Sequence, residues 1–515
     1  MFEEVQTTIL TAQSESDLGR LVELAEFWKI PYRKATAMGT NDIIFSSGIT
    51  EKNTYASKDI PAIISPRGFE DAQKIAGRHN LRVKQATDRL ALPVSSSETV
   101  RLETSAYRYE GADIEPILST NSNQILVRVR GTTKYLLCLD ILGQYEEFLY
   151  GGIDDFPSRF FKTLSKIPIP YSIIPGKVRN WSLRRSLKDS GITVEPASVE
   201  FLRILFLASL ASICNKPIPR LRFWKPGKSY ALVVTHDVET KEGLHRGTSQ
   251  LLEIERSLEV NSTWNIPSDR YKLSPEILHD ISKFGNIGAH DTKHDGRLIL
   301  SPLSEKIRRA KQAKQKLERL SGKKVRGFRA PLLQHSGELL DAVGKAGYEY
   351  DSSVPTLEML SPTSMTSHGV RTVFPFQYAG IWEVPVSLPQ DHQLIKIFGL
   401  SPKEAGKKIF SEATHVKALG GVCTLLIHPD YDYGLPENGD DYKKILEHFT
   451  NDASCQVTTM ENLVDWWKKR MDSTIDPSTA QVIHPRNHST SQDQLANMEL
   501  VHGFGPTGFK VEAKY

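Results

Sequence analysis

Residues 230–239 read YALVVTHDVE, an apolar and β-branched run that ends in His236, Asp237 and Glu239. A run of this kind fits a strand buried on both faces, as parallel sheets require. Charge withdrawn from water costs several kcal/mol unless it is paired or bound to metal, so carboxylates at the end of such a strand need a partner. Asp237 and Glu239 stand two apart on an extended chain and leave it on the same side. One of them can bind a metal while its neighbour takes a proton from water.

The same texture recurs downstream. STWNIPS (262–268), NIGAHD (286–291), VRGFRAP (325–331), GYEYDSS (347–353), IWEVPVS (381–387) and GVCTLLIHP (421–429) are further strand candidates with helical stretches between most of them, and ENLVDWWKKR (461–470) closes the series. Repeated β-then-α units imply a parallel sheet, and seven or eight of them in about 250 residues predict a closed β/α barrel. In such barrels function collects at the C-terminal ends of the strands, where the unusual residues of this chain lie.

The remaining sequence sets the frame. At 515 residues the chain predicts two or three units. Residues 1–150 read as a separate α/β domain of unknown role. Within it, DLGRLVELAEFWKIPY places Leu18, Leu21, Val22, Ala25 and Trp28 on one helical face, and QILVRVRGTTKYLLCLD reads as two strands joined around Gly131. Residues 151–223 read as a helical connector and linker, with a buried helix from Ser198 to Cys214 and then NKPIPRLRFWKPGKS as an extended stretch. Residues 224–471 form the predicted barrel. Residues 472–515 read as a polar, flexible tail in which VHGFGPTGFKVEAKY can add a strand pair.

A formal charge of +4 is small for this length and points to neither nucleic acid nor an anionic membrane. The four cysteines show no CxxC pairing and read as buried free thiols. The first residues carry acidic groups where a secretory signal is basic. FLRILFLASLASIC (201–214) falls short of the roughly 20 residues that span a bilayer. The expected location is cytoplasmic, with no transmembrane segment.

Three further elements join the opening strand. His290 and His294 are four apart, a spacing that on a helical turn puts both imidazoles on one face, with Gly288 and Gly296 leaving room. Two histidines and a carboxylate are a frequent catalytic zinc set. Arg329 in GFRAP ends another strand, and an arginine beside a carboxylate base keeps it ionised. CTLLIHPDY delivers His428 to the same rim. The basic stretch SPLSEKIRRAKQAKQKLERLSGKK reads as a solvated outer helix rather than an anion site, and Trp264, Trp382 and Glu383 read as rim packing.

THDVE, HDTKH, FRAP and LLIH, in this order and about 53, 35 and 99 residues apart, resemble the motifs of the polysaccharide deacetylase (NodB homology) family, carbohydrate esterase family four. The resemblance covers residues 224 to 471. It implies a distorted (β/α)7 barrel, a divalent metal, most commonly Zn2+, and hydrolysis of an N-acetyl group on an amino-sugar polymer or oligomer. It also implies Asp237 as catalytic base, Glu239, His290 and His294 as metal ligands, Arg329 as the arginine that orients the base, and His428 as general acid. Val238 stands where many members carry a second Asp, so Glu239 becomes the substitute ligand. Leu332 stands where the third motif has Tyr, whose oxyanion role is carried by a backbone N–H that Leu also has. Asp351 is the candidate partner of His428. Two other readings stay open: a hydrolase of another non-peptide C–N bond in a small molecule, and a binding module whose catalytic site has decayed.

Overall fold

The structure, a computed structural model, describes residues 5–34, 42–49, 60–120, 123–154, 197–357, 369–476, 482–483 and 498–514. They divide into two compact units. One comprises Met1–Phe148, Ala197–Pro226 and Lys468–Tyr515, and the other Leu149–Pro196 and Gly227–Trp467.

In the first unit, five strands (Tyr32–Lys34, Thr7–Ala12, Asp42–Ser47, Ala62–Ser65, Lys134–Leu137) lie side by side in parallel. Asn123–Val129 and Ile114–Thr120 add antiparallel edges. The expected turn around Gly131 is there, with Gly131 at φ 72°, a left-handed value that glycine adopts without steric cost. The helix Glu15–Trp28 buries Leu21, Leu24, Ala25, Phe27 and Trp28, so its inner face is rotated slightly from the expected one. Every residue of the helix Ser198–Ala211 is buried, and its Glu200 and Arg203 pair at 3.0 Å. The stretch expected to be an extended connector supplies a strand instead. Ile218–Leu221 pairs antiparallel with Met498–Gly505, which forms a hairpin with Gly508–Lys514, and Arg220 meets Glu499 across that ladder. Part of the segment read as a polar tail is therefore built into a sheet.

In the second unit the parallel strands are β1 (Tyr230–Asp237), β2 (Thr263–Ile266), β3 (Asn286–Ala289), β4 (Gly327–Phe328), β5 (Tyr350–Asp351), β6 (Ile381–Glu383) and β7 (Val422–Ile427). They pair in the order β6-β5-β4-β3-β2-β1-β7. Helices α1 (Thr248–Ser257), α2 (Pro275–Phe284), α3 (Leu303–Ser321), α4 (Gly337–Lys345), α5 (Pro402–Leu419) and α6 (Gly439–Thr450) follow β1, β2, β3, β4, β6 and β7 in turn. All eight residues of β1 are buried, and burial of each Val or Leu side chain there contributes about 1.5–3 kcal/mol. No helix among the described residues is long and apolar enough to cross a membrane.

A closed barrel was the expectation, and the sheet is curled rather than regularly closed. Between β6 and β7 no ladder forms among the described residues. Leu388 N–H reaches Thr424 O at 3.4 Å, and Ser387 fills the gap, its Oγ accepting Thr424 N–H at 2.9 Å and donating to Val422 O at 2.5 Å. The cause is local: Pro385 and Pro389 flank this segment, and proline has no N–H to give a ladder.

His236 is part of the frame. Its Nδ1 lies 3.0 Å from Ile427 O on β7, its Nε2 lies 2.7 Å from Glu255 on α1, and its ring stacks on Trp264 at 3.9 Å. With both ring nitrogens engaged in packing, it has no free atom for chemistry.

Candidate active site at the strand ends

The C-terminal ends of β1, β3, β4 and β7 bring Asp237, Glu239, His290, His294, Arg329 and His428 to one face of the sheet. Asp237 closes β1 and is buried. Its Oδ1 accepts Asn265 Nδ2–H at 2.9 Å and Arg329 Nη1–H at 3.2 Å, while Oδ2 lies 3.9 Å from His290 Nε2. Burial opposes its ionisation, but the charge of Arg329, then of His290 and His428, and the Asn265 hydrogen bond together hold the carboxyl below its ordinary range. Arg329 is itself fixed by Ser352 O at 2.7 Å, Ser352 Oγ at 2.8 Å and Thr235 Oγ1 at 2.8 Å. Asn265 went unnoticed in the sequence because a lone Asn in a strand has no distinguishing pattern. Its clue is Gly288, where an added Cβ would stand 2.2 Å from Asn265 Oδ1. That glycine gives room to Asn265 rather than to the histidine pair.

Glu239, His290 and His294 each offer an atom within 4.8 Å of the others. His290 Nδ1–H donates to Arg329 O at 2.9 Å, and its buried Nε2 has no hydrogen-bond partner. Burial pushes this imidazole down to about 4, so Nε2 carries a free lone pair, the tautomer of a metal-ligating histidine whose other N–H is held by a carbonyl. His294 Nε2 lies 3.2 Å from Glu239 Oε1 without the alignment of a hydrogen bond. Burial again opposes ionisation of Glu239, and the close approach and charge of His294, with His428 and His290 beyond it, hold the carboxyl well below the usual range. On the other side of the His294 ring, Arg270 Nη1 meets Nδ1 at 2.9 Å and the carbonyl at 2.7 Å. A guanidinium only donates, so a cation on Nε2, which requires the ring proton on Nδ1, would leave Arg270 only the carbonyl. Two buried ring nitrogens beside a carboxylate oxygen fit a divalent cation, and zinc by donor type.

The histidines do not share a helical face. Residues 290–295 are a turn in which Asp291 and His294 take φ values of 61° and 52°. Such left-handed conformations cost a non-glycine residue about 1–2 kcal/mol. The turn is held by Ser268 N–H to Asp291 O at 3.1 Å, Asp269 N–H to Thr292 O at 2.8 Å, and Arg309 of α3, whose Nε meets Asp291 at 3.0 Å and whose Nη2 meets Asp295 at 2.9 Å. One residue of the basic helix read as solvated thus braces the site. Leu332 also lies left-handed, at φ 60°, in the turn after Pro331. Its N–H makes no hydrogen bond among the described residues.

His428 Nδ1–H donates to Asp391 Oδ1 at 2.7 Å, and its backbone N–H donates to Oδ2 at 2.9 Å. Burial disfavours the imidazolium, but Asp391, by charge and hydrogen bond, and then Glu239 and Asp237 raise His428 to about 10.

The partner of His428 is therefore Asp391 and not Asp351. Asp351 accepts Ser353 N–H at 2.7 Å and Ser353 Oγ–H at 3.0 Å, and it stands in register with Glu383 on β6. Both carboxyls are buried and in register on neighbouring strands, and two carboxylates so placed favour holding one proton between them. Burial first, then the charge of Asp351 and its hydrogen bond, raise Glu383 well above its ordinary value, so Glu383 holds the proton. A carboxyl raised in the folded state stabilises fully below its unfolded value, here 4.5, and loses that contribution as pH climbs through the folded value. Glu383→Gln keeps a neutral donor without that loss. It is expected to raise Tm at pH 8 and to leave it unchanged near pH 4.5. Equal Tm changes at both values in thermal melts would count against the shared proton.

A polysaccharide deacetylase family model matches residues 225–350, which include Asp237, Glu239, Asn265, His290, His294, Arg329 and Leu332 but not Asp351, Asp391 or His428. No curated protein matches the chain. Among solved structures the chain is similar to a probable polysaccharide deacetylase from Pseudomonas aeruginosa PAO1, with 13% identity, 49% of this chain and 95% of that one covered, and a TM-score of 0.41. It is similar to Puue allantoinase at 12% identity, 48% and 93% coverage and a TM-score of 0.40. It is also similar to a mutant of peptidoglycan deacetylase from Bacillus subtilis at 15% identity, 47% and 94% coverage and a TM-score of 0.33. The family that the four motifs resemble and the family whose model matches residues 225–350 are the same, the polysaccharide deacetylases.

Proposed function

We propose that the second unit is a metal-dependent hydrolase that removes N-acetyl groups from an amino-sugar substrate, polymeric or oligomeric, within a distorted (β/α)7 barrel. The observation that carries this reading is the pair of buried, unpartnered ring nitrogens of His290 and His294 beside Glu239, flanked by an ionised Asp237 and a protonated His428. Glu239, His290 and His294 would hold the cation. When bound, a divalent cation supplies a Lewis acid for the amide carbonyl and acidifies water.

The chain's own groups divide the proton traffic. Arg329 and Asn265 occupy Asp237 Oδ1, which leaves Oδ2 to take the proton of the attacking water. The Leu332 N–H is available to the oxygen that gains charge as the carbonyl becomes tetrahedral. His428, with Nδ1 committed to Asp391, has Nε2–H left to protonate the departing amine, because an amine anion is a very poor leaving group.

The test is acetate release from N-acetylglucosamine oligomers by the full chain, with and without a chelator. Release that stops on chelation and returns with zinc is the expected result. Turnover of small amides with no acetate from the oligomers would move the substrate to another C–N bond. Absence of stoichiometric metal in the purified, zinc-loaded chain would instead favour a decayed site.

A further inference from the structure

The turn after His428 reads Pro429, Asp430, Tyr431, and two of its side chains face the end of β1. Asp430 Oδ2 accepts the Glu239 N–H at 2.9 Å, and its Oδ1 accepts the Thr240 N–H at 2.6 Å and the Thr240 Oγ1–H at 2.5 Å. Tyr431 Oη–H donates to Glu239 Oε2 at 3.3 Å, while the tyrosine ring stacks on His428 at 5.0 Å with 22° between the planes. Val238 N–H still follows β2, bonding Asn265 O at 3.0 Å. The main chain therefore leaves β2 between Val238 and Glu239, where Asp430 receives it.

Close approach around this turn depends on missing side chains. An added Cβ at Gly243 would stand 2.2 Å from Asp430 Oδ1, one at Gly247 would stand 1.7 Å from Pro429 O, and one at Gly434 would stand 2.3 Å from the same carbonyl. None of these glycines has a left-handed backbone, so glycine is required there by contact and not by conformation.

A glutamate is one methylene longer than an aspartate, so where its carboxylate lands depends on where its main chain is fixed. We infer that Asp430 and Tyr431 are positioning residues for the cation: Asp430 fixes the backbone from which Glu239 extends, and Tyr431 occupies Oε2 so that Oε1 is presented beside His294. The inference rests on the reading of Glu239, His290 and His294 as the metal site. It links the ligand at the end of β1 to the acid at the end of β7 through three consecutive residues, His428 to Asp430, and the tyrosine that follows them.

The experiment uses the purified full chain with zinc alone and cobalt(II) alone as probes. If the unsubstituted chain binds no stoichiometric zinc, the metal-site reading fails, whatever the variants do. If it binds zinc, Asp430→Ala and Gly243→Ala should each weaken zinc affinity by about 10- to 100-fold, the range for lost outer partners of a ligand. Asp430→Asn, which keeps one acceptor for Thr240, should fall between them and the unsubstituted chain. Tyr431→Phe, which keeps the ring stacked on His428 and removes only the Oη–H to Glu239, should alter the visible absorption of the cobalt-loaded chain. Unchanged zinc affinity in Asp430→Asn together with an unchanged cobalt spectrum in Tyr431→Phe would overturn the inference, since a turn that only supports the fold would move Tm and neither of these.

Discussion

Asp237→Asn is expected to retain the cation and lose nearly all turnover, while His294→Ala loses the cation itself. Asn at this position keeps an Oδ1 for Asn265 and Arg329, both of which meet the Asp237 Oδ1 in the native site. It replaces the Oδ2 that faces His290 at 3.9 Å with an amide that cannot take a proton. Loss of a positioned general base costs about 10²- to 10⁴-fold in rate, so kcat is expected to fall by at least about 10²-fold with bound zinc unchanged. The cost to stability is limited, because Arg329 keeps Thr235 and both polar atoms of Ser352. His294→Ala removes one of three candidate ligands and leaves His290 and Glu239, too few for a catalytic zinc site of three protein ligands. Metal content by elemental analysis and kcat by acetate release separate the two effects. Turnover in Asp237→Asn within about tenfold of the unsubstituted chain would remove Asp237 as the base, and full zinc occupancy in His294→Ala would remove His294 as a ligand.

Asp237, Arg329 and His428 were legible because each stands at the end of a buried strand, where a charged or ligating group has no structural reason to be. VVTHDVE, GFRAP and LLIHP carry that signal in a few consecutive residues. The structure brings His290 and His294 close together without a shared helical face, since the turn is left-handed at Asp291 and His294 and depends on Arg309 from α3. That brace is long-range, and no local period encodes it. The partner of His428 was missed for the same cause. Asp351 sits at a strand end and looks functional, yet its neighbour on β6 is Glu383, whereas Asp391 lies in the irregular segment after Pro389 that carries the chain toward β7. The parallel sheet followed from the repeated β/α texture, while its irregular closure at Ser387 reflects two prolines whose consequence depends on which strands meet there. The strand Ile218–Leu221 was hidden because its partner lies near the other end of the chain, at Met498–Gly505.

Asp391→Asn is expected to move the alkaline limb of the pH–rate profile toward acid. A general acid must be protonated to serve, so activity falls as His428 loses its proton. In the folded chain that proton is held to about 10, against burial, chiefly by Asp391 through charge and a hydrogen bond, with Glu239 and Asp237 adding charge. The sign for stability agrees: the raised group stabilises the fold fully below its ordinary value of 6.5 and loses that contribution as pH rises through about 10. Replacing the carboxylate by an amide removes the largest raising influence and leaves burial, which favours the neutral ring. His428 should then titrate at least one unit lower, and each unit is a tenfold change in the protonated fraction once pH exceeds the new value. A bound cation would lower the limb in both proteins, so the readout is the displacement between their kcat/KM profiles, checked by NMR titration of the His428 ring in the metal-free chains. A lower rate with an unmoved alkaline limb would mean that Asp391 supports the loop without tuning the acid. An unmoved limb with a displaced NMR titration would mean that His428 is not the group whose proton the reaction uses.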